Sequence, residues 1–306
     1  MGFFELRVFL DLTIPVAVFV MMTAMGLNLR AADIAAVLRR PKSLIVATAL
    51  QILLLPPLAV LLAWLLDADP VPALVLIAIA ASPGGVFSNV YVHFIRGNLA
   101  LSVAMTLLST VLMALFAPWV VSAAAAVLGG VFTAGVFSSV ELLQQLAGVV
   151  LFPLCAGAAV SYHFPALAAR ARRAVDAAAG LSVLVVLVSA TVITRTVAGE
   201  FLAEALLFSG VMCAGCFALG RAAACLLPPP DRSACVLEFG LRNLTVALLL
   251  ASGYATDASV VAFLLVFFVL SSVAALLLGL LQPARGQDRC AGRAAQSVGT
   301  RNDGER

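Results

Sequence analysis

The chain has 306 residues, of which 63% are hydrophobic and only 11% charged, against about 25% charged in an ordinary soluble domain. Charge-free runs such as 43–66 and 71–92 exceed the roughly 18 residues at which an apolar stretch reads as a membrane-crossing helix. This composition excludes a soluble enzyme or binding module, the net charge of +3 does not argue for nucleic acid, and the fold class expected is an all-α polytopic membrane protein.

In chain order, apolar runs and their interruptions predict nine spans, at about 8–29, 43–66, 71–95, 98–127, 142–162, 177–197, 203–226, 233–255 and 257–281. Gly129-Gly130 and Ser138-Ser139 mark the loop between the fourth and fifth. The first run lacks a small-residue cleavage site, so it reads as a span rather than a leader. From 282 to 306 the chain turns polar and is expected to be a disordered cytoplasmic tail. Alternate loops are basic: Arg30, Arg39, Arg40 and Lys42, then Arg96, then Arg170, Arg172 and Arg173, then Arg221 and Arg232, then five tail arginines. Fifteen positive residues fall on one side and two, Arg7 and Arg195, on the other. By the positive-inside rule the N-terminus is outside and the C-terminus cytoplasmic in a cell (inner) membrane.

Two spans are broken. Ser82-Pro83-Gly84-Gly85 interrupts the third, and Gly240 lies between Glu238 and Arg242 in the eighth. Proline removes a helix donor and glycine weakens the helix, so both can unwind. Unwound backbone at membrane depth survives only beside protein or a watery cavity. The broken spans are the middle members of two triplets, 43–127 and 203–281, that run through the membrane in opposite senses. That is the pattern of an inverted repeat whose two discontinuous helices cross at a binding site.

The polar residues near the breaks are oxygen-bearing. Ser88 and Asn89 follow the first break, Ser102 and Thr106 share one helix face, and Glu238 brings a formal negative charge. A charge at the bilayer centre costs roughly 2.5–3.5 kcal/mol on insertion scales, so it marks function, and oxygen donors suit hard cations such as sodium. Gln51 is a lone amide in an apolar span. Membrane Ser, Thr and Gln also serve as plain helix–helix hydrogen bonds. Cys213 and Cys216 have redox spacing without a βαβ context, His93 and His163 fall near span ends, and Asn243-Leu244-Thr245 matches a glycosylation sequon at membrane depth. Helix packing, interfacial placement and chance are the readings of these three. No motif supplies a nucleophile and base, so an enzyme is not expected.

Ser82-Pro-Gly-Gly-Val-Phe-Ser-Asn89, then Arg96-Gly-Asn-Leu-Ala-Leu-Ser102 with Thr106, and Glu238-Phe-Gly-Leu-Arg-Asn243 together resemble the crossover helices of the bile acid:sodium symporter family. Met25-Gly-Leu-Asn-Leu29 and Gln51 extend the likeness, which spans about 10–281. It implies a secondary transporter of an organic anion with core helices at 43–127 and 203–281 and panel helices at about 8–29, 142–162 and 177–197. It further implies sodium as coupling ion, no other cofactor, and action as a monomer. One sodium site would use Ser88, Asn89, Ser102, Thr106 and Glu238. A second would use Gln51, Glu238, the backbone at Phe239 and Leu241, and a side chain at 242. Cargo would meet Asn243, Arg242, Pro83 and Gly84.

Position 242 is glutamine in sodium-coupled members of that family and arginine here. A guanidinium offers only donors and cannot ligate sodium. Arg242 could replace the second ion and pair with Glu238, or face the cavity and attract an anion, or only neutralise Glu238. The alternatives carried forward are therefore a sodium-coupled anion transporter with one ion site, a proton- or potential-driven variant, and an arsenite-efflux-like protein. The last lacks the cysteine expected between Pro83 and Asn89.

Overall fold

The computed structural model describes residues 8–28, 41–128, 139–194, 198–252, 254–255 and 257–281. All regular structure among them is helical: a π-helical turn at Phe9–Thr13, α1 (Ile14–Asn28), α2 (Pro41–Leu65), α3 (Pro70–Ala81), α4 (Val86–Phe94), α5 (Leu99–Val127), α6 (Ser139–Leu146), a second π turn at Ala147–Leu151, α7 (Phe152–His163), α8 (Pro165–Thr194), α9 (Ala198–Ala224), α10 (Arg232–Gly240), α11 (Leu244–Ser252) and α12 (Ala258–Leu281). Among the described residues, seven stretches are long and apolar enough to cross a membrane, at Asp11–Asn28, Pro41–Leu65, Leu99–Val127, Leu143–His163, Pro165–Val192, Phe201–Ala224 and Ala258–Leu280. Their outward positions, including Leu53, Leu61, Leu184 and Leu277, are exposed and apolar, as segments facing lipid require.

The two expected breaks are present, and each divides a span into half-helices: α3 with α4, and α10 with α11. One boundary moves. The basic residues Arg170, Arg172 and Arg173, expected in a loop ahead of a span at 177, lie inside α8, which begins at Pro165. Ala166, Ala168, Ala169, Ala171 and Ala174 surround those arginines and sustain the helix. The arginines Arg30, Arg39, Arg40 and Arg195, the Gly129-Gly130 loop and the tail after 281 lie outside the described residues.

α1 packs along α7 and against α8, while α2, α3 and α5 pack together, and α9 packs on α2, α10 and α12. The α1–α7 crossing is glycine-on-glycine. A Cβ on Gly157 would stand 2.5 Å from the Thr23 carbonyl oxygen and 2.9 Å from the Leu27 amide, and one on Gly26 would strike the Leu154 carbonyl. Small residues let membrane helices approach to backbone contact, where packing replaces the hydrophobic drive that lipid abolishes. Arg172 donates to the Leu27 carbonyl at 3.0 Å and Asn28 donates to Asp176 at 2.6 Å, tying the end of α1 to α8.

Gly157→Ala should therefore lower the melting temperature of the purified protein by several degrees, since overpacking costs about 1–3 kcal/mol. Gly180→Ala, where an added Cβ meets nothing within 4 Å, should leave it unchanged or slightly raised; equal melting of the two variants would contradict the crossing.

Candidate functional site

The breaks are extended links between half-helices. Ser82 has ψ 152°, Gly85 has φ −88° and ψ 154°, and Leu241 has φ −100° and ψ 94°. The links run antiparallel and pair, with Gly84 opposite Arg242. The Gly85 amide donates to the Leu241 carbonyl at 2.8 Å, and the Asn243 amide donates to the Pro83 carbonyl at 3.0 Å. Each break thus satisfies backbone groups that the other leaves open, which a single broken helix in an apolar medium could not do.

Glu238, fully buried near the end of α10, points at this crossing. Its Oε1 accepts from the hydroxyls of Ser88 on α4, Ser102 on α5 (2.7 Å) and Thr106 on α5 (2.8 Å). Asn89 joins through its Nδ2, which reaches the Thr106 hydroxyl at 3.4 Å. All five residues expected to form the first cation site therefore converge, drawn from three helices. The carboxylate's other oxygen, Oε2, is buried without a hydrogen-bond partner, as is Asn89 Oδ1. An unmet buried acceptor carries a desolvation cost of about 1–3 kcal/mol.

Gln51 on α2 donates to the Glu238 carbonyl at 2.9 Å, and its Oε1 is likewise buried and unpartnered. Phe239 and Leu241 are buried beside it, but the Leu241 carbonyl is engaged by Gly85. Arg242 enters the same spot. Its guanidinium donates to the carbonyls of Ile79 (3.3 Å), Ala80 (3.2 Å) and Ser82 at the C-terminal end of α3, and to the Glu238 carbonyl at 3.5 Å. Of the alternatives left open for Arg242, a hydrogen-bonded pairing with the Glu238 side chain does not form; its acceptors are backbone carbonyls. The long side chain folds back onto backbone oxygens, where the α3 dipole is negative.

Asn243 caps α11. Its Oδ1 accepts from the Thr245 hydroxyl at 2.7 Å and the Val246 amide at 3.2 Å, and its Nδ2 is buried with no partner. With both oxygen bonds fixing the amide, Nδ2 is the presented end. Asn243 lines a crevice with Gly85, Phe87, Arg242, Thr245 and Phe268 on one wall and Met21, Val183, Val186 and Leu187 on the other. Its volume is about 20 Å³, space for one water at roughly 10–15 Å³ each. Pro83 instead lines an apolar space with Thr110, Met113, Leu146 and Val246, and Gly84 abuts the carboxylate, where a Cβ would collide with Glu238 Oε2.

One contributor is not singled out by the sequence. Ser109 continues the Ser102–Thr106 face and accepts from the Gly84 amide at 3.3 Å. His93 and His163 are exposed at helix ends, and Cys213 and Cys216 are buried free thiols on α9.

A model of the sodium bile acid symporter family matches residues 15–200. The chain is 29% identical to the "Uncharacterized sodium-dependent transporter YocS" of Bacillus subtilis over 252 residues, covering 79% of this chain and 74% of that one. It is 34% identical over 152 residues to the "Probable sodium/metabolite cotransporter BASS1, chloroplastic" of Arabidopsis thaliana, covering 50% of this chain and 36% of that one. It is 30% identical over 107 residues to the human "Ileal sodium/bile acid cotransporter", covering 35% and 31%. The chain thus spans about a third of the length of the plant and human relatives. The family match ends before Glu238 and Arg242.

Because the Gly84 position is filled by the carboxylate, Gly84→Ala should destabilise the protein alone, while in a Glu238→Ala background it should cost little. A double-mutant cycle on melting temperature should show coupling, which residues in contact display at about 0.5–3 kcal/mol; additive effects would mean that Glu238 does not occupy that space.

Proposed function

The chain belongs to the sodium bile acid symporter family, and from that premise we propose that it carries a small organic anion across the membrane together with sodium, by alternating access. The observation that carries this reading is the convergence of Ser88, Ser102 and Thr106 on one oxygen of a fully buried Glu238, with Glu238 Oε2 and Asn89 Oδ1 left unpartnered. Hydroxyl and amide oxygens around a carboxylate form an all-oxygen shell, the donor set of a hard cation. Sodium at that point would give the two idle acceptors their positive partner. It would also draw α4, α5 and α10 together, because each contributes ligands.

The anion binds beside the cation. α4 and α11 both begin at the crossing, and helix N-termini favour negative charge. Asn243 Nδ2 adds a buried donor there with nothing to bond. Arg242 also lines the crevice, but its guanidinium is engaged by backbone carbonyls, while Pro83 and Gly84 face the apolar space and the carboxylate, so Asn243, whose Nδ2 is unpartnered, is the cargo-contacting residue of the four. Ligand sites for small molecules run to roughly 300–1,000 Å³, against the 20 Å³ of this crevice, so entry of cargo requires its walls to part. One wall comes from the α1 and α8 group, which forms a panel with α7, and the other from the core built on 43–127 and 203–281. Movement of the core against the panel opens the crevice to either side.

In this reading the two half-helix pairs each cross the membrane and join the seven long spans, giving nine, with the triplets as an inverted repeat. The N-terminus is outside and the C-terminus cytoplasmic. The protein acts as a monomer, with no cofactor besides the ion.

Sodium should therefore stabilise the purified protein. A ligand at 100 times its Kd adds about 2.7 kcal/mol, several degrees for a protein of this size. Replacing choline chloride by sodium chloride at equal ionic strength should raise the melting temperature of wild type and not of Glu238→Gln, with Thr106→Val intermediate. Equal melting of wild type in both salts would reject sodium coupling.

A further inference from the structure

α3 ends at the crossing, so the carbonyls of its last turn lack the amides of a following turn; the Ile79 oxygen is met locally by the Ser82 hydroxyl at 2.8 Å, while those of Ala80 and Ser82 face Arg242. They also carry the negative end of the helix dipole. A concave set of carbonyl oxygens with that polarity, joined by the Glu238 carbonyl and the unpartnered Gln51 Oε1, calls for a positive charge. Either a small cation or a tethered one would satisfy it. Arg242 supplies the tethered one: four of its hydrogen bonds go to the carbonyls of Ile79, Ala80, Ser82 and Glu238, and it is only 4% exposed. NH1 of Arg242 and Nε2 of Gln51 share the Glu238 carbonyl as acceptor, so the guanidinium lies against the Gln51 amide.

We propose that the Arg242 guanidinium is a permanent cation occupying the carbonyl pocket at the end of α3, so that this protein binds one sodium ion, at Glu238, where the pocket would otherwise take a second. The inference rests on the sodium reading above and deepens it. A guanidinium stays protonated and presents donors on a planar fork, so it cannot leave with the cargo or exchange with the medium. Charge bookkeeping then differs from that of a two-ion site. The empty crossing holds Glu238 and Arg242 and is neutral, and one sodium with one monovalent anion leaves it neutral again. Both the loaded and the empty core can therefore rearrange without carrying net charge through a low-dielectric medium, where an uncompensated charge is costly. The arginine also spans the crossing, joining α3 to α10 and the α10–α11 link, so this junction holds in the absence of any ion.

The test is equilibrium binding of radioactive sodium to the purified full-length protein, with no cargo present. Wild type should saturate at one ion per chain with a Hill coefficient of 1, and Arg242→Lys, which keeps the charge, should do the same. Arg242→Gln should saturate at two ions with a Hill coefficient above 1. Two ions on wild type would overturn the proposal while leaving sodium coupling intact. One ion on a folded Arg242→Gln would also overturn it, since the pocket would not then be a vacated cation site. No binding to wild type would remove the sodium reading itself and this inference with it. The wild-type stoichiometry decides the matter even where Arg242→Gln does not fold.

Discussion

The structure depends on holding one carboxylate where the protein covers it completely. Glu238 is fully buried, and isolated charges in apolar surroundings are among the most expensive features a protein can hold. Three hydroxyls on two other helices turn toward one of its oxygens. The second oxygen is left for something that is not a side-chain donor. Other features at the crossing follow from this placement. Gly84 has no side chain because the carboxylate fills that space, and Ser109 receives the Gly84 amide because the broken helix no longer can.

Two breaks solve what one could not. The links at 82–85 and 241–243 exchange two backbone hydrogen bonds, and at the end of α3 the Ser82 hydroxyl and Arg242 take up the carbonyls. Around this polar centre the rest of the molecule is apolar and close-packed, with α1 and α7 in backbone contact through Gly26 and Gly157.

Much of this was legible in the chain. The alternation of charged loops and apolar runs located the helices, Pro83 and Gly240 located the breaks, and the spacing of Ser102 and Thr106 placed both hydroxyls on one face. Long-range geometry was not legible. Arg242 is four residues from Glu238, and i, i+4 neighbours of opposite charge suggest an ion pair. The helix ends between them, however, so the side chain leaves that face and reaches carbonyls some 160 positions earlier. Asn243 is read as a cargo contact, and it is also the cap of α11, a second role that depends on where the half-helix starts. α8 starts ahead of the charged cluster that suggests a loop, because alanine-rich sequence carries arginines in a helix without strain.

If cation and anion meet at a single crossing, each strengthens the other's binding, because such coupling is reciprocal. A thermal-shift screen of the purified protein against small carboxylates, sulfates and steroid-like anions, each in sodium and in choline medium, tests this. At least one anion should stabilise the protein in sodium and not in choline, with the effect lost in Asn243→Asp. An anion that stabilises equally in both media would contradict it.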